Sequence, residues 1–218
     1  MKFAVSYSGG KESALALYKA IRQGHTPILL ITTFNEDRKH SYSHGINETI
    51  LNRVSDSLGI PSLLVKTKDE DYTRDFEKAL IHAKELGAEA CVFGDVDIEG
   101  HFAWCSERCE NVGIQPLFPL RGESRKNVVY DFLDSGFTAN ISVVNTKYLS
   151  ECFLGQQLTR EIADRIATEG ADICGENGEY HTFVSAGPIF RHPVRFSFAE
   201  KTEKNEYAIM LVTHSNGL

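Results

Sequence analysis

The residues with the sharpest chemical content are Ser8-Gly9-Gly10-Lys11-Glu12-Ser13, near the start of a 218-residue chain. Two glycines let a backbone approach a ligand closely and take up conformations that a side chain forbids. The hydroxyls of Ser8 and Ser13 and the ammonium of Lys11 can close around a pyrophosphate, provided that the free N–H groups of a following helix turn face the same anion. The spacing is neither the G-x-x-x-x-G-K-[ST] of a Walker loop nor the G-x-G-x-x-G of a dinucleotide fold. The plain alternative is a Gly-Gly turn with a serine cap and no ligand.

Two other stretches carry chemistry. Gly94-Asp95 closes an apolar run, so Asp95 either points into a ligand crevice, near a metal or a ribose, or caps the next element. The segment Cys174-Gly-Glu-Asn-Gly-Glu-Tyr-His-Thr-Phe-Val184 is richer still. Glu176, Glu179 and His181 can orient an amine or accept a proton, Asn177 can hydrogen-bond a carboxyl group, and Gly175 and Gly178 permit close backbone approach. The alternative is a polar glycine turn in which Tyr180 and Phe183 simply pack. His101, Cys105 and Cys109 lie four apart, so one helix would align them as a zinc-holding stripe, but a fourth ligand is missing and cysteine often serves as a small hydrophobe.

These residues need elements to position them. The pattern predicts strands at 3–7, 27–33, 63–66 and 90–94, with helices at 13–23, 47–58 and 72–86 between them. Strands apolar on both faces that alternate with helices imply a parallel sheet covered on both sides. Right-handed crossovers make it doubly wound, and its ligands bind at the carboxyl ends of the strands, where the Ser8–Ser13 turn falls. From about residue 122 the rhythm changes: helices at 126–134 and 159–168 and strands at 137–144, 194–199 and 207–213 predict a smaller α+β lobe.

The string at 8–13 resembles the SGGxDS loop of the PP-loop (N-type) ATP pyrophosphatases, with Glu12 where that group usually has aspartate. Ser43-His44-Gly45, Gly59-Ile60-Pro61, Gly113-Ile114, Phe118-Pro119-Leu120, Gly187-Pro188-Ile189-Phe190 and above all GENGEYHTF resemble the diphthine–ammonia ligase family within that group. The resemblance implies a Rossmann-like doubly wound α/β fold of the adenine nucleotide alpha hydrolase-like (HUP) type. Residues 1–120 would bind ATP and 121–218 would form a C-terminal substrate-binding lobe. It implies that Ser8, Gly9, Gly10, Lys11, Glu12 and Ser13 hold the β,γ-pyrophosphate, with Gly94 and Asp95 also at the nucleotide. Lys11, Glu176, Asn177, Glu179 and His181 would do the chemistry. Magnesium is expected on the phosphates, with Asp95 as its protein ligand. Thr32 and Thr33 either line the adenine pocket or merely end their strand, and His44 either faces that crevice or sits at the surface.

Composition narrows the partners. A formal charge of −7 disfavours a nucleic-acid backbone as the main partner, since phosphate binding rests on clustered Lys and Arg, and Arg121, Arg125 and Lys126 are too few. No run approaches the roughly 20 apolar residues of a membrane helix, and Met1-Lys2-Phe3 leads straight into apolar structure, which predicts a cytoplasmic protein without a membrane partner. Five scattered cysteines do not form the framework of a small secreted protein. The expectation is an ATP-dependent ligase that adenylates a carboxylate, on a protein side chain or a small metabolite, releases pyrophosphate and amidates the adenylate with ammonia. A homo-oligomer is compatible with it. The rivals are a PP-loop tRNA-modifying enzyme, which would need a basic extension and a cysteine pair, and a non-catalytic ATP-binding sensor.

Overall fold

The computed structural model describes residues 1–37, 39–41 and 43–214. Its main sheet is built from β1 (Lys2–Ser6), β2 (Thr26–Asn35), a two-residue β3 (His40–Ser41), β4 (Ser62–Thr67), β5 (Ala90–Val92) and β6 (Gln115–Leu117). The parallel strands lie in the order β4-β2-β1-β5-β6, and β3 hooks antiparallel onto the end of β2. Period-two alternation explains the layering. Phe3, Val5, Leu30, Ala90 and Val92 face one core, where α1 (Lys11–Arg22), α2 (Glu48–Leu58) and α5 (Arg125–Asp134) pack. Ala4, Leu29, Ile31, Cys91 and Phe93 face the other, under α3 (Tyr72–Glu85) and α4 (Glu99–Val112).

The strand order reverses between β1 and β5, which leaves a crevice at their carboxyl ends where an open α/β sheet takes its ligand. The Ser8–Ser13 turn leaves β1, and Gly94-Asp95 follows β5. Gly94 is demanded by this junction: a Cβ there would stand 2.9 Å from the backbone carbon of Glu12 and nitrogen of Ser13.

The remaining strands are β7 (Thr138–Asn145), β8 (Tyr180–Ala186), β9 (Ser197–Phe198), β10 (Thr202–Lys204), β11 (Tyr207–Ile209) and β12 (Val212–Thr213), with α6 (Arg160–Thr168) between β7 and β8. They form an antiparallel sheet β10-β11-β7-β8 and a separate β12-β9 pair. Ala139, Ile141, Val144, Phe183 and Val184 bury into the same core as α1 and α2, so the second sheet seals one face of the first.

Several boundaries differ from the sequence reading. β2 runs on to Asn35, because β4 pairs with it through Thr67. The predicted 207–213 strand is two strands interrupted between Ile209 and Val212, and 194–199 contributes only Ser197 and Phe198. α5, expected in the second lobe, packs against α1 of the first layer. His101, Cys105 and Cys109 do share one helix, α4, but Cys109 is buried in the core with Cys91 while His101 and Cys105 turn to Asp95.

Candidate functional site

The turn after β1 is drawn tight by its own side chains. Gly9 has φ +87°, a left-handed conformation that glycine takes without strain. The Gly10 N–H donates to Ser8 Oγ at 3.2 Å, and Ser13 Oγ donates to the Gly10 carbonyl at 3.0 Å. β8 then crosses the turn. The Lys11 N–H donates to Thr182 Oγ1 at 3.1 Å, and the Val184 N–H to the Gly9 carbonyl at 2.9 Å. Of the helix-turn amides expected to face an anion, that of Lys11 is thus satisfied within the protein, as a buried amide must be when a strand lies over it. Gly9 and Gly10 shape the turn, and neither is among the residues that line the two cavities beside it.

The charged side chains do border one. A cavity of about 470 Å³ is lined by Ser8, Lys11, Glu12 and Ser13 on one side and by Gly94 and Asp95 at the end of β5. Its far wall is Glu176 and Asn177 from the glycine loop, with His181 from β8. The turn, the strand end and the loop thus meet although up to 162 residues separate Glu12 from Cys174. A second cavity of about 540 Å³, lined by Thr33, His44, Asp69 and Tyr72 among others, shares Ser6, Ser8, Ser43, His44 and Tyr72 with the first. Each lies in the size range of small-ligand sites.

Lys11 is 2% exposed, with Nζ 2.5 Å from Glu12 Oε1 and 4.4 Å from the centre of the Tyr180 ring. Burial alone would lower its pKa, but the Glu12 carboxylate outweighs this and holds it well above the ordinary lysine value, so Lys11 is a permanent cation. Burial, and then the charge of Glu12, push Glu176 up to about 8. Burial likewise raises the Cys174 thiol and Asp95. His44 donates Nδ1–H to the Thr182 carbonyl at 2.8 Å and lies 4.9 Å, ring centre to ring centre, from His181. Burial lowers the pKa of both histidines, most strongly that of His181.

Two family models cover this geometry end to end: the diphthamide synthase N-terminal domain over residues 1–116 and the diphthamide synthase C-terminal domain over residues 124–217. The chain belongs to the diphthamide synthase family. Its relatives include proteins named diphthine–ammonia ligase. That of Schizosaccharomyces pombe is 23% identical over 93% of this chain, which spans 37% of the yeast protein's length. The Danio rerio protein is 22% identical over 86% of this chain and 83% of its own, and the human protein 23% over 89% and 82%.

In this member of the family, not every residue singled out from sequence reaches the cavities. Thr32 is turned away, its hydroxyl donating to the Tyr7 carbonyl at 2.6 Å, whereas Thr33, on the opposite face of β2, lines the second cavity. Glu179 is 6% exposed and accepts from the backbone N–H and Nδ2 of Asn177 at 3.0 and 3.1 Å, so it shapes the loop rather than facing the cavity. Asp95 accepts from His101 Nδ1 at 3.1 Å. Among the described residues, the one group whose ligand atoms converge, within 4.8 Å, is Glu12, Cys174 and Glu176, not Asp95.

Sequence reasoning missed the brace behind the loop. Arg125 binds both oxygens of Asp97 at 2.8 and 2.9 Å and Asp172 at 2.7 Å. Asp172 in turn accepts from the N–H groups of Cys174 and Glu176 at 3.0 and 2.9 Å. An arginine that follows a serine helix cap carries no spacing signal for that role. Among the described residues, no helix is long and apolar enough to cross a membrane.

Proposed function

We propose that this chain is an ATP-dependent amide ligase that adenylates a carboxylate, with diphthine as the acceptor, and displaces AMP with ammonia. The supporting observation is the shared cavity in which a buried, permanently charged Lys11 faces the Glu176-Asn177 loop, beside a second cavity large enough for a nucleoside. Adenosine occupies the cavity at Thr33 and Tyr72, and the β,γ-phosphates lie against Lys11, Ser8 and Ser13. Family membership and the relatives' name, diphthine–ammonia ligase, support this choice of acceptor and amine.

The residues fit magnesium in one form only. A protonated thiol and a neutral carboxyl suit that ion poorly, so the Glu12–Cys174–Glu176 group is not a cage for it. One or two carboxylates, Asp95 and Glu12, together with phosphate oxygens would hold it, as is usual for this ion. Bound there, it would neutralise phosphate charge.

The acceptor carboxylate oxygen attacks the α-phosphorus, the α–β bridging bond breaks, and pyrophosphate departs against Lys11. Asn177 hydrogen-bonds and orients the acid. Ammonia then attacks the acyl carbon, the bond to AMP breaks, and the proton lost from nitrogen leaves on the AMP phosphate, while the Glu176 carboxyl at the cavity wall, held neutral by burial, orients the amine. Most of the acceleration comes from positioning and charge neutralisation.

The test is α-labelled ATP incubated with the protein, ammonium and a diphthine-bearing translation factor. AMP and pyrophosphate in equal amounts, with one amide formed per AMP, support the reading. ADP as the product, or no label released, overturns it.

A further inference from the structure

A third cavity, of about 290 Å³, adjoins the phosphate cavity: Ser43 and His181 line both. Its apolar walls are Val143 of β7 with Ile209 and Tyr207 of β11, and its rim is the turn between β10 and β11, where Lys204 and Asn205 stand. In that turn Asn205 holds a left-handed φ of 54°, a conformation that asparagine tolerates. The space is too small for a nucleotide and right for one side-chain-sized arm.

Charge marks what it accepts. Acidic residues outnumber basic ones by 30 to 23 in this chain, and the phosphate cavity carries Glu12, Asp95 and Glu176, yet no aspartate or glutamate lines this third cavity. Lys204 forms no salt bridge among the described residues, and its acidic neighbour Glu203 is taken by Lys201 at 2.9 Å. A lysine without a salt bridge at the rim of an acid-free recess, whose walls join Val143 and Ile209 to the polar groups of His40, Ser43 and His181, suits a carboxylate on an aliphatic arm.

Position agrees with charge. Ser43 borders all three cavities. In-line attack requires the acid to reach the α-phosphorus from the side opposite the departing pyrophosphate, so adenosine, phosphates and acid must arrive from three directions at one point.

We propose that the cavity between β7, β11 and the β10–β11 turn takes the carboxylate-bearing arm of the acceptor, and that Lys204 binds and positions that carboxylate. This rests on the adenylating reading for its purpose but not for its existence, since a recess that binds carboxylates does so with or without catalysis. Lys204 acts before the chemistry, holding the acid for delivery past His181.

The experiment is calorimetric titration of the full chain and of Lys204→Gln and Lys204→Arg. The probes are a diphthine-bearing translation factor and free glutamate and butyrate, each with a non-hydrolysable ATP analogue present. Lys204→Gln should weaken binding of the carboxylate about ten- to a hundredfold, the range for one charge-assisted hydrogen bond, while Lys204→Arg restores most of it and the nucleotide affinity stays constant. Binding of the factor alone identifies a protein-borne arm, and binding of the free acids identifies a small metabolite; either supports the site if Lys204→Gln loses it. Equal binding by wild type and Lys204→Gln overturns the site while the ligase reading stands. Lys204-dependent binding, combined with no AMP released when labelled ATP replaces the analogue, sinks the ligase reading and keeps the site. No carboxylate bound by the wild type overturns both.

Discussion

Lys11→Met tests the phosphate site most directly, because methionine fills the stem of the lysine and removes only its charge. The ammonium lies 2.5 Å from Glu12 and 4.4 Å from the Tyr180 ring, almost wholly out of water. A pair of unit charges at about 4 Å is worth roughly 4 kcal/mol at the effective permittivity of a protein site, and desolvation consumes much of this. What remains for a hydrogen bond to a charged group is about 1.5–3 kcal/mol, so the dissociation constant of a non-hydrolysable ATP analogue should rise about ten- to a hundred-and-fifty-fold. Stability should fall by about 1–3 kcal/mol, less than for a fully buried pair, because Glu12 keeps 18% exposure and can turn to water. Calorimetry gives the first quantity and urea unfolding the second, which separates lost binding from lost fold. A folded Lys11→Met protein that binds the analogue as tightly as wild type refutes the assignment of the phosphates to this turn.

Three more outcomes are expected. Gly94→Ala drives a Cβ to 2.9 Å from the backbone of Glu12 and Ser13, so unfolding in urea should show a loss of about 1–3 kcal/mol, with weaker nucleotide binding; an unchanged midpoint would mean the junction is soft. Glu179→Ala removes the acceptor of two Asn177 N–H groups and should cost about 1–3 kcal/mol in the same assay and slow amide formation; wild-type stability would show that the loop holds itself. The depressed pKa of His181 means that below about 6.5 the unfolded chain binds a proton that the folded chain refuses, so stability falls with pH, by up to about 1.4 kcal/mol per unit from this group. Glu176, raised to about 8, works the other way between about 8 and 4.5, so the comparison is between the pH 7 and pH 5 stabilities of wild type and His181→Asn, in which Glu176 cancels; equal slopes would exclude the histidine effect.

How much of this was legible in the chain depended on whether the cause was local. The Ser8–Ser13 turn declared itself through glycines and hydroxyls between an apolar run and a helical one, and the two-faced apolar strands gave the parallel sheet. β6 escaped because three residues centred on Pro116 look like a loop until β5 offers them a partner. β8 escaped because Thr182 and Ser185, both buried, break the apolar run of a core strand. Their partners are tertiary: Thr182 Oγ1 takes the amide of Lys11, 171 residues away. The Asp97–Arg125–Asp172 brace and the recess at Lys204 are of the same kind, each made by elements that no spacing rule connects. Thr32 and Thr33 were equivalent on paper, and only the sheet's alternation decides that one serves the Tyr7 carbonyl and the other a cavity.

β8 gives the arrangement its mechanical logic. Thr182 takes the Lys11 amide on its hydroxyl and the His44 imidazole on its carbonyl, and Val184 takes the Gly9 carbonyl. One strand of the second sheet thus fixes the turn that leaves the first, and the residue just before Thr182 in that strand, His181, lines both the phosphate cavity and the recess at Lys204. A shift of β8 by one register step would reverse every side chain on it, exchanging Thr182 for His181 at the turn and undoing both functions together. The bulge between Ile141 and Val143, where the β7–β8 pairing changes step beside His181, pins that register at the point where the two cavities meet. On the proposed reading, joining two chemically different recesses through one strand would hold an acid and a phosphorus at a fixed separation, and a displacement of about 1 Å in such a pairing is enough to cost about a hundredfold in rate.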